Sequence, residues 1–168
     1  MADEDVLALV QRLEARLAAV EDELAIYHVL ATYGPSVDSG SADDAAGLFT
    51  EDGFYDAGVG AWTGRDEIAG MVRGGGHQGL IMNGAAHVLG GVPHVVIDGD
   101  TAVATAYYHL HRRADDSFTV WRVTATRWEL VRDDGTWRVA RRVNRLLDGS
   151  SEARQLLADG IHREPLSI

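Results

Sequence analysis

Four β-rich runs fill the second half of the chain, at about 84–97, 101–113, 117–132 and 136–147. Short turns separate them: Asp98-Gly-Asp100, Ala114-Asp-Asp-Ser117 and Arg132-Asp-Asp-Gly-Thr136. The first and third contain Asp-Gly steps, which favour tight β-hairpin turns. Hairpins make neighbours in sequence neighbours in space, so these runs predict one antiparallel sheet. Helical patterns precede them, and helices followed by strands give an α+β order of elements. Trp121, Val123 and Ala125 alternate with Phe118, Val120 and Trp128, so bulky residues stand on both faces. A sheet that covers helices on one side and encloses a space shows this pattern. Gly90-Gly91 is a candidate bend.

The first half reads as helices. Residues 4–32 predict one long helix in which Val6, Val10, Leu13, Leu17, Val20, Leu24 and Tyr27 recur in alternating steps of four and three. That is a heptad seam. It is read as an oligomerisation element, so a homo-oligomer (trimer or dimer) is expected; the alternative is packing against its own domain. Residues 1–25 form this extension and residues 26–160 the domain proper. Ile26, Leu30 and Tyr33 continue an apolar face to Gly34-Pro35, where the missing N–H predicts a kink or loosening. Ser41 is a candidate N-cap for a second helix, with Asp43 and Asp44 in its first turn and Leu48-Phe49 buried near its end. Phe54–Gly58 reads as a strand and 63–72 as a short helix with Thr63 as cap. Gly74-Gly-Gly-His-Gln-Gly79 reads as a flexible loop, lacking the Gly-Lys-Ser/Thr ending of a phosphate loop. A short helix is expected at about 150–159.

Charge and absent residue types narrow the chemistry. Fifteen basic residues against 26 acidic ones leave a net charge of −11, which disfavours nucleic acid and anionic membranes as partners. No run approaches the roughly 18 apolar residues of a membrane span. The acidic start Ala2-Asp-Glu-Asp5 does not resemble a secretory signal, and a cytoplasmic location is expected. There is no cysteine, hence no thiolate chemistry, and every basic side chain is arginine, hence no lysine Schiff base. His, Asp, Glu, Tyr, Ser and Arg remain.

Among these, Asp38 and His87 make the most complete chemical proposal. Asp38 closes the first helix, and His87 lies on a strand within Gly84-Ala-Ala-His-Val-Leu-Gly-Gly91. A carboxylate that holds one imidazole nitrogen leaves the other free as a base near neutral pH. Small Ala85 and Ala86 leave room beside the ring for a ligand. Tyr108 and Trp121 are read as pocket wall. His109-x-His111 places two imidazoles on one strand face, with His94 a possible third, but without a clear third ligand no metal and no cofactor are expected.

Six motifs in this order carry a family resemblance: Tyr33-x4-Asp38, Leu48-Phe-Thr-Glu-Asp52, Gly64-Arg-Asp-Glu-Ile68, the His87 segment, Asp98-Gly-Asp-Thr-Ala102 and Gly135-Thr-Trp-Arg-Val139. Together they resemble the SnoaL-like group of the nuclear transport factor 2-like superfamily. The resemblance implies a cone-shaped α+β barrel, a curved antiparallel sheet wrapped around N-terminal helices over a deep apolar cavity. The heptad helix is an addition to that cone. The motifs are nearest to the Asp–His dehydratases, scytalone dehydratase and bile-acid 7α-dehydratase. Carried over, their pair falls on Asp38 and His87, and the bile-acid enzyme's tyrosine falls on Tyr33. Tyr55 resembles a second pocket tyrosine. Arg142 matches the arginine of hexachlorocyclohexane dehydrochlorinase, although Tyr33 stands where that enzyme has a lysine, which disfavours dehydrochlorination. The implied activity is a cofactor-independent dehydratase, isomerase or cyclase. Its substrate would be an apolar, ring-containing molecule such as a polyketide or steroid-like compound. Tyr33 would act as a further catalytic residue, and Tyr55, Arg142, Tyr108 and Trp121 would hold the substrate. The competing reading is a noncatalytic cone that binds a small molecule or a protein.

Overall fold

The computed structural model describes residues 2–162, with side chains from Asp5 onward. Helix α1 (Ala2–Asp38) runs through Pro35 without a break, so the expected loosening does not end it. Pro35 removes one donor, yet its carbonyl still accepts the Ser39 N–H at 2.9 Å. Gly40, at φ +75°, closes the helix, and the Ser41 N–H reaches back to the Ser36 carbonyl at 2.9 Å.

Helix α2 (Ala42–Gly47) begins after Ser41, whose hydroxyl shares a hydrogen bond with that of Ser39 instead of capping the helix. Phe49, expected near the end of α2, lies outside it and opens strand β1 (Phe49–Asp56). Strand β2 (Ala61–Thr63) leads into helix α3 (Gly64–Arg73). Thr63 does not cap α3 with its side chain; the Glu67 carboxylate, one turn on, accepts the Thr63 N–H at 2.7 Å. The glycine-rich segment read as a loop is helix α4 (Gly75–Met82). Glycine disfavours helix, but tertiary contacts override that preference here. The Gln78 side chain donates to the Val72 carbonyl and His77 bonds the Val37 carbonyl.

The expected first strand is two strands, β3 (Ala85–Leu89) and β4 (His94–Asp98), because Gly91 at φ +102° and Pro93 interrupt the ladder. Both pair with the same neighbour, β5 (Thr101–Ala114). Strands β6 (Ser117–Asp133) and β7 (Thr136–Leu146) complete a curved, unclosed sheet in the order β2-β1-β7-β6-β5-β3, with β4 also on β5. The β1–β7 pair is parallel, which corrects the all-antiparallel expectation. Helix α5 (Ser151–His162) covers the outer face, with Ala153 and Leu156 on Ala125 and Val143.

Two interruptions of register aim side chains at the cavity. The β5–β6 ladder steps from Leu110↔Arg122 to His111↔Val120 and leaves Trp121 as the extra residue. The β6–β7 ladder steps from Glu129↔Arg141 to Leu130↔Val139 and leaves Ala140 extra. Each bulge shifts the alternation by one residue. Trp137 and Val139 therefore face inward before the second bulge, and Arg142 and Asn144 after it. Inside, Ile26, Leu30, Tyr33 and Val37 form one stripe of α1 packed against Phe49, Trp128, Leu130 and Val139.

The heptad seam lies on another face of α1. Val6, Val10, Leu13, Leu17, Val20 and Leu24 are 42–60% exposed, so packing against the chain's own domain does not occur.

Candidate active site

A carboxylate at a helix C-terminus faces the negative end of the helix dipole, an unfavourable place unless donors offset it. Asp38 is the last residue of α1 and has two such donors, both from His87. Its Oδ2 accepts the His87 backbone N–H at 2.8 Å, and its Oδ1 lies 2.6 Å from His87 Nδ1. The first bond fixes the strand against the helix and the second fixes the ring. Carboxylate oxygen beside Nδ1 demands a proton on that nitrogen, so in the neutral ring Nε2 carries the lone pair.

Gly34 makes this approach possible. A Cβ there would stand 2.8 Å from the His87 carbonyl oxygen and 3.2 Å from the Tyr108 hydroxyl. Helix α1 can meet β3 this closely only where the side chain is a hydrogen.

The ring opens on a cavity of about 550 Å³, within the range of small-molecule sites. Its walls are largely apolar, built from Trp62, Met71, Leu80, Leu110 and Trp121 together with Tyr33, Tyr55 and Tyr108. Polar groups are few, namely His77, His87, His109, Thr124, Arg122 and Asn144. Asn144 donates to the Tyr55 hydroxyl at 3.4 Å and accepts from Thr126 at 2.5 Å.

Tyr33 is at the centre of an aromatic cluster, edge-on to Tyr55, Tyr108, Trp128 and Phe49 at 5.6–6.4 Å between ring centres. Burial pushes its phenol well above the ordinary pKa of 10, reinforced by Tyr55 and opposed by the Arg142 charge. Burial does the same to Tyr108, again against Arg142. Both are therefore hydrogen-bond donors at neutral pH, not bases.

Arg142 has no exposed surface, and none of its three nitrogens has a hydrogen-bond partner of good geometry. Its guanidinium carbon lies 3.9 Å from the Trp128 ring centre, 4.0 Å from Tyr33, 4.5 Å from Tyr108 and 4.8 Å from Tyr55. Cation–π attraction of about 2 kcal/mol per desolvated contact offsets part of the burial cost. The expected hold of Arg142 on an anionic end of a ligand does not fit this placement. The guanidinium stands behind the tyrosines that line the cavity, and its charge reaches a ligand only through them.

Trp121 lies at the rim, half exposed, with Arg112 over its ring at 5.7 Å. His109 and His111 do share a strand face, stacked at 5.9 Å, and only His109 reaches the cavity. His94 pairs with Thr105 on the other half of β5. Among the described residues no cluster of three or more His, Asp or Glu side chains is arranged to hold a metal.

His77 and Asn144 are site residues that the sequence did not point to. His77, from α4, lies against His87, tilted 34° with ring centres 5.4 Å apart, and bonds the Val37 carbonyl through Nε2 at 3.0 Å. Burial lowers its pKa, partly countered by that carbonyl. The flanking glycines hid it. Asn144 was findable as the residue two places beyond Arg142, on the same strand face.

The chain belongs to the SnoaL-like family, whose domain matches residues 18–143. It is similar to an NTF2-like protein with a cystatin-like fold from Novosphingobium aromaticivorans, at 41% identity over 88% of this chain and 96% of that one, with a TM-score of 0.84. A variant of Rv3472, a function-unknown protein of Mycobacterium tuberculosis, shares the fold at 18% identity over 93% of this chain and 96% of that one, TM-score 0.70. A proposed aromatic ring hydroxylase from Novosphingobium aromaticivorans matches at 26% identity over 76% of this chain and 90% of its own, TM-score 0.57. No protein of curated function matches. Among the described residues no helix is long and apolar enough to cross a membrane.

Proposed function

We propose that the protein is an acid–base enzyme that needs no cofactor and acts on an apolar, ring-containing small molecule. His87 is the base. Its Nε2 removes a proton from a carbon next to a carbonyl, while Asp38 holds Nδ1–H and stabilises the imidazolium that forms. Charge then builds on the carbonyl oxygen, where the Tyr33 or Tyr55 hydroxyl donates a hydrogen bond with Arg142 behind it. In dehydration the carbon–oxygen bond to a neighbouring hydroxyl breaks as the double bond forms. The leaving oxygen takes the proton from His87 and departs as water, so the base is regenerated. Isomerisation and ring closure use the same parts, with the proton returned to carbon instead.

The observation that carries this reading is the double contact between Asp38 and His87 at the wall of an apolar cavity. A noncatalytic cone has no need of that double contact, and this favours the catalytic reading. The family's polyketide cyclases and ring-modifying enzymes fit a ring-shaped substrate, as do the aromatic walls. The test is turnover across a panel of cyclic β-hydroxyketones. His87→Ala and Asp38→Asn should each lower turnover by about 10²–10⁴ with the fold intact. Normal turnover by a folded His87→Ala protein rejects the assignment.

A further inference from the structure

The N-terminal half of α1 carries an apolar seam that the cone leaves uncovered. Assigning Val10, Leu17 and Leu24 to heptad position a places Val6, Leu13, Val20 and Tyr27 at d. Asp22 then falls at f, directly opposite the seam. Asp22 is the residue that fastens the helix to its own cone. Arg132 Nη2 donates to both Asp22 oxygens at 2.8 and 2.9 Å, and the Trp137 indole N–H donates to Oδ1 at 3.0 Å. Arg132 also lies over the Trp137 ring at 4.6 Å. The clamp fixes the rotation of the helix so that f faces the cone and a and d face away.

From these observations we infer that residues 6–27 pair with the same segment of a second copy of this chain, in a parallel, in-register coiled coil. The charges at the flanking positions select the orientation. Arg16 is at g and Glu21 at e, five residues on, the spacing at which g of one strand meets e of the other in a parallel pair. Two-fold symmetry makes that ion pair twice. An antiparallel pair instead brings e against e and g against g, so the repulsion of Glu14 and Glu21 offsets the attraction of Arg16 and Glu23, whereas the parallel pair has the attraction alone. The clamp at f puts each cone on the outside of the coil, so neither blocks the other. The seam begins ahead of the family's matched region, which starts at residue 18.

Sedimentation equilibrium of the full chain tests this. The wild type should sediment as a dimer at tens of micromolar, and the Leu13→Glu/Leu17→Glu variant as a monomer with the thermal transition of its cone unchanged. Both leucines are more than half exposed, so the substitutions leave the core alone. The chain has no cysteine, so a Val10→Cys variant reports register cleanly: oxidation should join the two copies covalently. Arg16→Glu should weaken the dimer at low salt, and adding Glu21→Arg should restore it. A monomeric wild type, a dimer that survives Leu13→Glu/Leu17→Glu, or a dimeric Val10→Cys protein that does not cross-link overturns the inference. None of these outcomes bears on the Asp38–His87 proposal.

Discussion

The imidazole of His77 lies 5.4 Å from that of His87 and tilted 34° to it, one ring from α4 and the other from β3. A histidine this close is exposed to any charge on its neighbour. Burial lowers the His77 pKa below its ordinary 6.5, the Val37 carbonyl opposes that, and a charge on His87 lowers it further. Between the lowered value and 6.5 the unfolded chain binds more protons at His77 than the folded one. Stability at this site therefore falls as the pH drops through that window. A His77→Phe variant keeps the ring contact and removes the titration. Its loss of stability between pH 7.5 and 5.5, by urea unfolding, should be shallower than that of the wild type. Parallel losses would show that His77 does not titrate differently on folding.

Gly34 lets α1 touch β3 at the residue whose imidazole Asp38 holds. A methyl group 2.8 Å from the His87 carbonyl forces helix and strand apart. Gly34→Ala should cost about 1–3 kcal/mol of stability, despite alanine's better helix propensity. Catalysis should suffer more than folding, because the shift lengthens both bonds from Asp38 to His87. Chemical denaturation with turnover on the same samples separates the two. A variant as stable and as active as the wild type would mean that the contact gives way without disturbing the pair.

Arg142 offers a separation of stability from activity. A buried cation without a carboxylate is expensive, and apolar replacement of buried charges is often neutral or stabilising. Arg142→Met should therefore melt within a few degrees of the wild type or above it. Turnover should fall about 10-fold or more, because the charge behind Tyr33, Tyr55 and Tyr108 is gone. Melting by circular dichroism and kcat on the same preparation check this. Unfolding of Arg142→Met would assign the guanidinium to the core alone.

How much of this was visible in the sequence depends on which physical signal each residue carries. The hairpin sheet was legible because Asp98-Gly-Asp100 and Asp133-Asp-Gly135 have strong turn chemistry, and both turns form, with Gly99 and Gly135 at positive φ. The pairing of Asp38 with His87 followed from residue type and family resemblance. By contrast, the parallel β1–β7 pair was hidden because Thr50-Glu-Asp-Gly53 lacks a strand's apolar alternation. Helix α4 was hidden by its glycines, and His77 with it. The burial of Arg142 depends on the bulge at Ala140, a one-residue phase shift that hydrophobic pattern cannot reveal in an arginine-rich strand. The seam from Val6 to Leu24 was plain in the heptads, while its exposure required the position of Asp22 on the opposite face.

Proton transfer by Nε2 of His87 is the central step, and deuterium wash-in measures it without the natural substrate. The probe is 1-tetralone, an apolar bicyclic ketone, held in D2O with the protein at a concentration where binding is verified by ligand-observed NMR. Wild-type protein should catalyse deuterium uptake at the carbon next to the carbonyl. His87→Ala should slow it by about 10² or more, and Asp38→Asn by a comparable factor. Equal uptake by wild type and a folded, ketone-binding His87→Ala protein would contradict the assignment.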